Sequence, residues 1–315
     1  MHGATAIPTP RPTVRVDRPI GPEPAVAVSV LIPVFNEEQA IGRVLGEVVA
    51  AMDGAGHSYE VLVVDDASTD RTVDAIRRSA AEVWSAPIRL IQRPEQGGAG
   101  AARKTGIRAA RGEIVLMLDG DGSYPAAVIP EVLSYFPAYD QVNGARTSEQ
   151  GTLPWLRRPA KWLIRRLACH LTGKPIPDLN TGLKALKREV LLPYLGLVPD
   201  GFSCVTTMTL CFLANGYLVK YVPTPYRPRI GKSKFHPLKD TAAYLSTVVR
   251  IVLCFRPLRI FVPLAALVSA VGLAKGSYSF TTTGSLQESD VILFVAALLT
   301  FVLGLLAEVV VAQHR

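Results

Sequence analysis

The sequence predicts an α/β fold with a mostly parallel sheet, followed by two carboxy-terminal transmembrane helices. Three observations carry that expectation. Short β-branched apolar runs alternate with longer amphipathic stretches from residue 26 onward; acidic residues and glycines stand where those runs stop; and two long apolar segments close the chain. Alternation of this kind implies parallel strands joined by crossover helices on both faces of the sheet.

Taken in order, residues 1–25 are rich in Pro and Arg with no apolar run, and read as a disordered leader rather than a signal peptide. Val26–Pro33 reads as a strand, Glu37–Met52 as a helix and Glu60–Asp65 as a second buried strand. Thr69–Trp84 reads as a helix with Asp70 near its start, and Ile88–Gln92 as a third strand. The glycine-rich turn Gln96–Gly100 leads into a helix over Ala101–Ala110. It lacks the G-x-G-x-x-G spacing after a first strand, which disfavours a dinucleotide fold. Ile114–Leu118 is an unbroken apolar run, as expected of a strand buried on both faces.

Asp119 and Asp121 follow that run directly, separated by Gly120. Open α/β sheets bind ligands at the carboxyl ends of their strands. Two carboxylates there suit a hard divalent cation whose other ligands are water and substrate phosphates. An Asp-Gly turn between strand and helix is the plain alternative. Asp66-x-Ser68-x-Asp70 likewise reads either as ligand-facing groups or as a helix cap.

The 315 residues carry 34 Lys and Arg against 26 Asp and Glu, a net charge of +8. The excess is clustered: Arg157, Arg158, Lys161, Arg165 and Arg166 form one group, and Arg227–Lys239 holds a second. No helix-turn-helix, zinc-finger or RNA-binding signature accompanies them, so membranes and phosphorylated substrates are favoured over nucleic acid. Cys169, Cys204, Cys211 and Cys254 show no metal-ligand spacing and read as reduced structural thiols. Pro159–Thr172, as a helix, sets Arg158, Lys161 and Arg165 opposite Leu163, Ile164, Leu167 and Leu171. That pattern fits a helix lying among lipid headgroups, or a surface helix over a core.

Residues 236–257 are expected as a second interfacial helix, 258–274 and 291–312 as transmembrane helices, and 275–290 as a polar loop between them. Lys239, Arg250, Arg256 and Arg259 precede the first span, and His314 and Arg315 follow the second. Basic flanks stay cytoplasmic, so the loop is placed outside and the large amino-terminal domain, residues 26–235, in the cytoplasm of a multi-pass cell-membrane protein.

Three segments now carry a resemblance. Ser29–Glu38 (SVLIPVFNEE), Val63–Asp70 (VVDDASTD) and the Asp119/Asp121 pair, in that order, resemble the family 2 glycosyltransferases of GT-A fold, which have a Rossmann-like sheet. Gly144–Arg146, Asp178–Lys184 (DLNTGLK) and Arg229–Phe235 (RIGKSKF) resemble the polyprenyl-phosphate branch, similar to dolichyl-phosphate mannose synthase and bactoprenol glucosyltransferase. The resemblance implies a metal-dependent, inverting hexosyltransferase. It would move a hexose from a nucleotide sugar of the GDP-mannose or UDP-glucose type to a polyprenyl phosphate. Pro33, Phe35, Glu37, Asp65, Asp66, Gly98 and Asp119 would then meet the nucleotide sugar, and Asp119 and Asp121 would hold Mg²⁺ or Mn²⁺. Arg146, Arg158, Lys161, Arg229, Lys232 and Lys234 would bind phosphate. Asp178 matches a carboxylate taken as catalytic beside Asp121, either as a base or as an anchor for a neighbouring cation. Homo-oligomers occur among relatives.

The chain departs from the pattern at Ser123, where the simplest relatives carry Gln, and at Lys104, where Asn is frequent. Thr206, Thr207 and Thr209 stand where many relatives place a Glu. Transfer to another lipid or glycan acceptor, or an inactive nucleotide-binding scaffold, are the rival readings. A processive synthase is disfavoured because no Q-x-x-R-W motif is present.

Overall fold

The computed structural model describes residues 15–16, 26–82, 87–147, 162, 165–170, 172–230 and 237–313. The expected leader lies outside these residues except for β1 (Arg15–Val16), which pairs antiparallel with β4 (Ile88–Gln92) through Arg15↔Gln92.

The central strands are β2 (Val28–Val34), β3 (Tyr59–Asp65) and β5 (Ile114–Met117). With β6 (Gln141–Arg146), β7 (Lys184–Lys187) and β8 (Val219–Thr224) they form one sheet in the order β1-β4-β3-β2-β5-β7-β6-β8. β2 pairs in parallel with both β3 and β5, through Val30↔Val61 and Val30↔Leu116. β7 pairs antiparallel with both β5 and β6. The chain moves outward from β2 through β3 to β4, then returns to lay β5 on the other side of β2. The crevice opened by that reversal is where ligands of open α/β sheets bind.

Helices cover both faces, as the alternation of strand side chains requires. Val28, Val30, Ile32 and Val34 pack with Ile41, Val44, Leu45 and Val48 of α1 (Ile41–Ala55) on one face. On the other, α3 (Ala99–Ala109) presses on Leu31 at Gly106, where a Cβ would lie 2.1 Å from Leu31 Cδ1. α1 starts at Ile41 rather than Glu37. Asn36 is left-handed, with φ of 51°, and its amide donates to Ser68 Oγ at 2.9 Å while the Glu37 amide donates to Thr72 Oγ1 at 2.8 Å. The residues before α1 thus lace the loop after β2 to the loop after β3. α2 runs Thr72–Glu82, with Asp70 Oδ1 accepting the Thr72 amide at 2.9 Å. Asp70 is therefore a capping residue, and Ser68 is a tie between loops.

The chain divides into two units, residues 1–152, 177–209 and 218–240 forming the first and residues 153–176, 210–217 and 241–315 the second. In the second, 165–170 are helical, which accounts for part of the Pro159–Thr172 helix; Arg165 and Arg166 are exposed and Ala168 is buried. Three long helices follow, Pro237–Phe255, Leu258–Thr283 and Glu288–Gln313. The last two have 26 residues each and are long and apolar enough to cross a membrane. At 1.5 Å per residue each spans about 39 Å. Leu267, Leu273, Ile292, Leu298 and Leu306 are exposed along them.

The polar loop expected over 275–290 is shorter than its composition suggests, because the first of these helices continues to Thr283. Thr282 and Thr283 donate their hydroxyls to the carbonyls of Tyr278 and Ser279 at 2.8 and 2.7 Å, which lets hydroxyl side chains remain in the helix. Gly284, with φ of 73°, ends it. All four cysteines are free thiols.

Candidate active site

Loops from the carboxyl ends of β2, β3 and β5 converge on a cavity of about 300 Å³ in the first unit. From β2 come Pro33, Phe35 and Glu37; from β3, Asp66; from β5, Asp119 and Asp121. Gly98 and Arg103 reach it from the start of α3, Arg146 from the end of β6, and Tyr226 and Arg229 from the segment after β8.

Asp65 and Asp66 part company. Asp65 is buried and its carboxylate accepts the Ser68 amide at 3.3 Å, and it is not among the residues lining the cavity. Burial raises its pKa, and the Ser68 bonds only partly offset that. Asp66 does reach the cavity. Its carboxylate accepts the amides of Gly97 and Gly98 at 3.1 and 2.7 Å and pairs with Arg93. Asp66 thus anchors the glycine turn. The turn needs glycine for a steric reason: Gly98 has φ of +96°, and a Cβ on Gly100 would sit 2.0 Å from the Pro199 carbonyl oxygen. The Gly100 amide donates to the Asp200 carbonyl at 2.7 Å, and Lys104 pairs with the Asp200 carboxylate at 2.6 Å.

At the end of β5, Asp119 pairs with Arg103, a residue that sequence reasoning passed over. Its signal was available: Arg103 stands among Ala102, Gly106 and Ile107 on the buried face of α3, where a charge demands a partner. Gly182 makes room for the Asp119 carboxylate, since a Cβ there would lie 2.0 Å from Asp119 Oδ2. Burial pushes the Asp119 carboxyl pKa up against the pull of Arg103, and the Asp121 charge adds to the rise. Asp121 Oδ1 accepts the Ser123 hydroxyl at 2.6 Å and its amide at 3.0 Å, while Oδ2 lies 3.4 Å from Arg229 Nη2. Ser123, at the position where simple relatives carry Gln, therefore orients Asp121. Arg229 is drawn in by its neighbour, the Ile230 amide donating to the Asp121 carbonyl at 3.1 Å.

Arg146 and Asp178 form a bidentate pair, Nε to Oδ2 at 2.7 Å and Nη2 to Oδ1 at 2.9 Å. The Asn180 amide adds a bond to Asp178 Oδ1 at 3.1 Å. Burial by itself would raise the Asp178 pKa, but the Arg146 bonds and charge hold it below the usual carboxylate range. Arg146 also lies 5.4 Å from the centre of the Tyr226 ring, which meets Tyr124 edge to face at 5.2 Å. Arg146 lines the cavity and Asp178 stands behind it. Arg158, Lys161, Lys232 and Lys234 lie outside the described residues. Tyr124, Tyr226 and Phe202 line the cavity with no sequence motif to announce them.

The described residues hold no group of three or more His, Cys, Asp or Glu poised for a metal. The donor set nevertheless suits a hard cation whose other ligands are water and phosphate: two carboxylates lining one cavity and offering oxygen donors alone.

The family described as Glycosyl transferase family 2 matches residues 29–194, and the family described as GtrB C-terminal hairpin matches residues 256–312. The chain is similar to the dolichyl-phosphate hexose transferase of Haloferax volcanii, 33% identical over 228 residues that cover 72% of this chain and 94% of that protein. It is also similar to the undecaprenyl-phosphate 4-deoxy-4-formamido-L-arabinose transferase of Edwardsiella ictaluri, 29% identical over 254 residues, 78% of this chain and 74% of that protein. Among solved structures it resembles in fold the glucosyl-3-phosphoglycerate synthase of Mycobacterium tuberculosis in complex with Mn²⁺, UDP-glucose and phosphoglyceric acid. The TM-score is 0.56 at 20% identity, over 72% of this chain and 80% of that one.

Proposed function

The chain belongs to glycosyl transferase family 2, and from that premise we propose that it transfers a hexose from a nucleotide sugar to a polyprenyl phosphate at a membrane surface. The observation that carries the reading is one cavity lined both by two carboxylates, Asp119 and Asp121, and by Arg146, an arginine gripped by the Asp178 carboxylate. The relatives are transferases named for polyprenyl-phosphate acceptors, dolichyl in one and undecaprenyl in another. The carboxy-terminal helices supply the span such a lipid requires.

Asp119 and Asp121 would hold Mg²⁺ or Mn²⁺, which when bound supplies Lewis-acid neutralisation of the departing diphosphate. Pro33 and Phe35 wall the nucleotide end of the cavity, beside the glycine turn that Asp66 holds. Arg146 and Arg229 offer cations to the acceptor phosphate. That phosphate carries about −1.5 to −2 charge at neutral pH and needs little help to become nucleophilic. Asp178, locked on Arg146 and ionised, acts as the anchor of that cation rather than as a proton acceptor. Attack by the lipid phosphate oxygen as the nucleoside diphosphate leaves inverts the anomeric configuration in a single displacement.

Purified full-length protein incubated with a panel of nucleotide sugars, Mg²⁺ or Mn²⁺ and polyprenyl phosphate tests the reading. Metal-dependent passage of sugar into the lipid phase is expected. Release of free sugar without lipid product, or undiminished transfer under chelation, would overturn it.

A further inference from the structure

Each cation-facing carboxylate already carries an arginine, and the two arginines differ in kind. Arg229 pairs with Asp121 at 3.4 Å and leaves 38% of its side chain exposed. It has room to swing toward solvent or a bound phosphate. Arg103 pairs with Asp119 and leaves 5% of its side chain exposed. Its guanidinium is wedged between the Ala99 carbonyl at 3.4 Å and Cys204 Sγ at 3.5 Å. It rides on α3, whose first turn is fixed by Asp66 and by the Asp200 carbonyl. Arg103 therefore stays when ligands arrive.

We propose that Arg103 is a fixed counter-charge that makes divalent-cation binding conditional on the donor diphosphate. The inference rests on the metal-dependent reading above and adds an order to it. Asp119 and Asp121 bring two negative charges, and Arg103 and Arg229 cancel them. A bare divalent cation entering that neutral site would add two uncompensated positive charges beside an immovable guanidinium, and buried like charges repel strongly. A cation arriving with the two negative charges of a nucleotide-sugar diphosphate leaves the site neutral. Metal and donor thus enter as a pair, and the empty enzyme holds no metal of its own. Such an order keeps the site from capturing a cation that would then wait, hydrated, for a substrate.

The test is Mn²⁺ binding rather than turnover. Detergent-solubilised full-length protein is dialysed to equilibrium against Mn²⁺ alone, or Mn²⁺ with UDP or GDP, and bound metal is read by electron paramagnetic resonance. For the unaltered protein, Mn²⁺ alone is expected to bind at least about tenfold more weakly than Mn²⁺ with a nucleotide it accepts. Arg103→Met should tighten binding of Mn²⁺ alone by about tenfold or more, whereas Arg103→Lys, which keeps the charge, should preserve the dependence. Equal affinity of the unaltered protein for Mn²⁺ with and without nucleotide would overturn the inference with no variant needed. So would an Arg103→Met protein whose metal-alone affinity is unchanged; in both cases the transferase reading stands. Failure of the unaltered protein to take up Mn²⁺ with either nucleotide would remove both the inference and the metal-dependent reading.

Discussion

At the scale of single residues, two buried ionisable groups have pKa values shifted down by different causes. Asp178 is held below the usual carboxylate range because Arg146 grips both its oxygens. Losing a hydrogen bond to a charged group costs about 1.5–3 kcal/mol, so Asp178→Asn should raise KM for polyprenyl phosphate by about 10- to 100-fold. The acidic limb of the pH–rate profile should keep its position if the residue is an anchor. Loss of that limb in steady-state kinetics would instead make Asp178 the base. Lys184 is fully buried, its ammonium donating to the Val205 carbonyl at 2.7 Å and to Thr209, and burial pushes its pKa down to about 7. An unfolded lysine titrates near 10.4. Between those values the unfolded chain binds a proton that the folded chain lacks, so stability should rise with pH across that window. Thermal unfolding of the unaltered protein, followed from pH 7 to pH 10 against Lys184→Met, should show it gaining on the variant. Neither role was legible beforehand. Asp178 stood open as base or anchor because the sequence leaves unstated which group faces it, and Lys184 read as one more residue of a motif. Burial shifts Lys184, whereas Arg146 holds Asp178 ionised against burial, which favours the anchor reading that the Asp178→Asn profile tests.

Elements supply the next level of constraint, and here the strand ends dominate. The glycine turn before α3 is pinned from one side by Asp66 and from the other by the 199–201 backbone. Gly100→Ala drives a methyl group into the Pro199 carbonyl, and overpacking of this kind costs about 1–3 kcal/mol. A lower unfolding temperature is expected together with weaker donor binding, measured by calorimetry and by nucleotide titration. An unchanged melting temperature would mean the 199–201 segment yields freely. The sequence reading placed β2, β3, β4 and β5 close to their observed limits, since period and β-branching are local properties, but it gave no strand at β1, β6, β7 or β8. Ile88–Gln92 coincides with β4. Helix starts and loop ends moved more. α1 begins late because Asn36 and Glu37 are held by Ser68 and Thr72 across the next loop, and the hairpin turn shrank because threonine hydroxyls found carbonyls within their own helix.

The whole molecule joins a nucleotide-type sheet to an apolar hairpin. Within that hairpin Lys275 pairs with Asp290 at 2.9 Å beside the turn 284–287, so the polar groups near the turn neutralise one another. The basic residues Arg250, Arg256 and Arg259 gather at the opposite end. Positive flanks remain cytoplasmic, so the predicted orientation has the turn outside and residues 26–235 inside. Ser285→Cys, probed with a membrane-impermeant maleimide, should label in intact cells without permeabilisation. Labelling only after the membrane is breached would invert the topology and put the cavity on the wrong side for cytoplasmic nucleotide sugars.

The linear order of residues by itself determined the α/β class, the strand ends where carboxylates gather and the two apolar segments. Each of these is written within a few consecutive positions. Which charge faces which was settled by folding. Arg103 meets Asp119, Arg146 meets Asp178 and Arg229 meets Asp121 because β5 is laid between β2 and β7 and the segment after β8 turns back across it. Pairings of that kind depend on sheet order and on the exclusion of water, and neither has a local signature in a chain of residues.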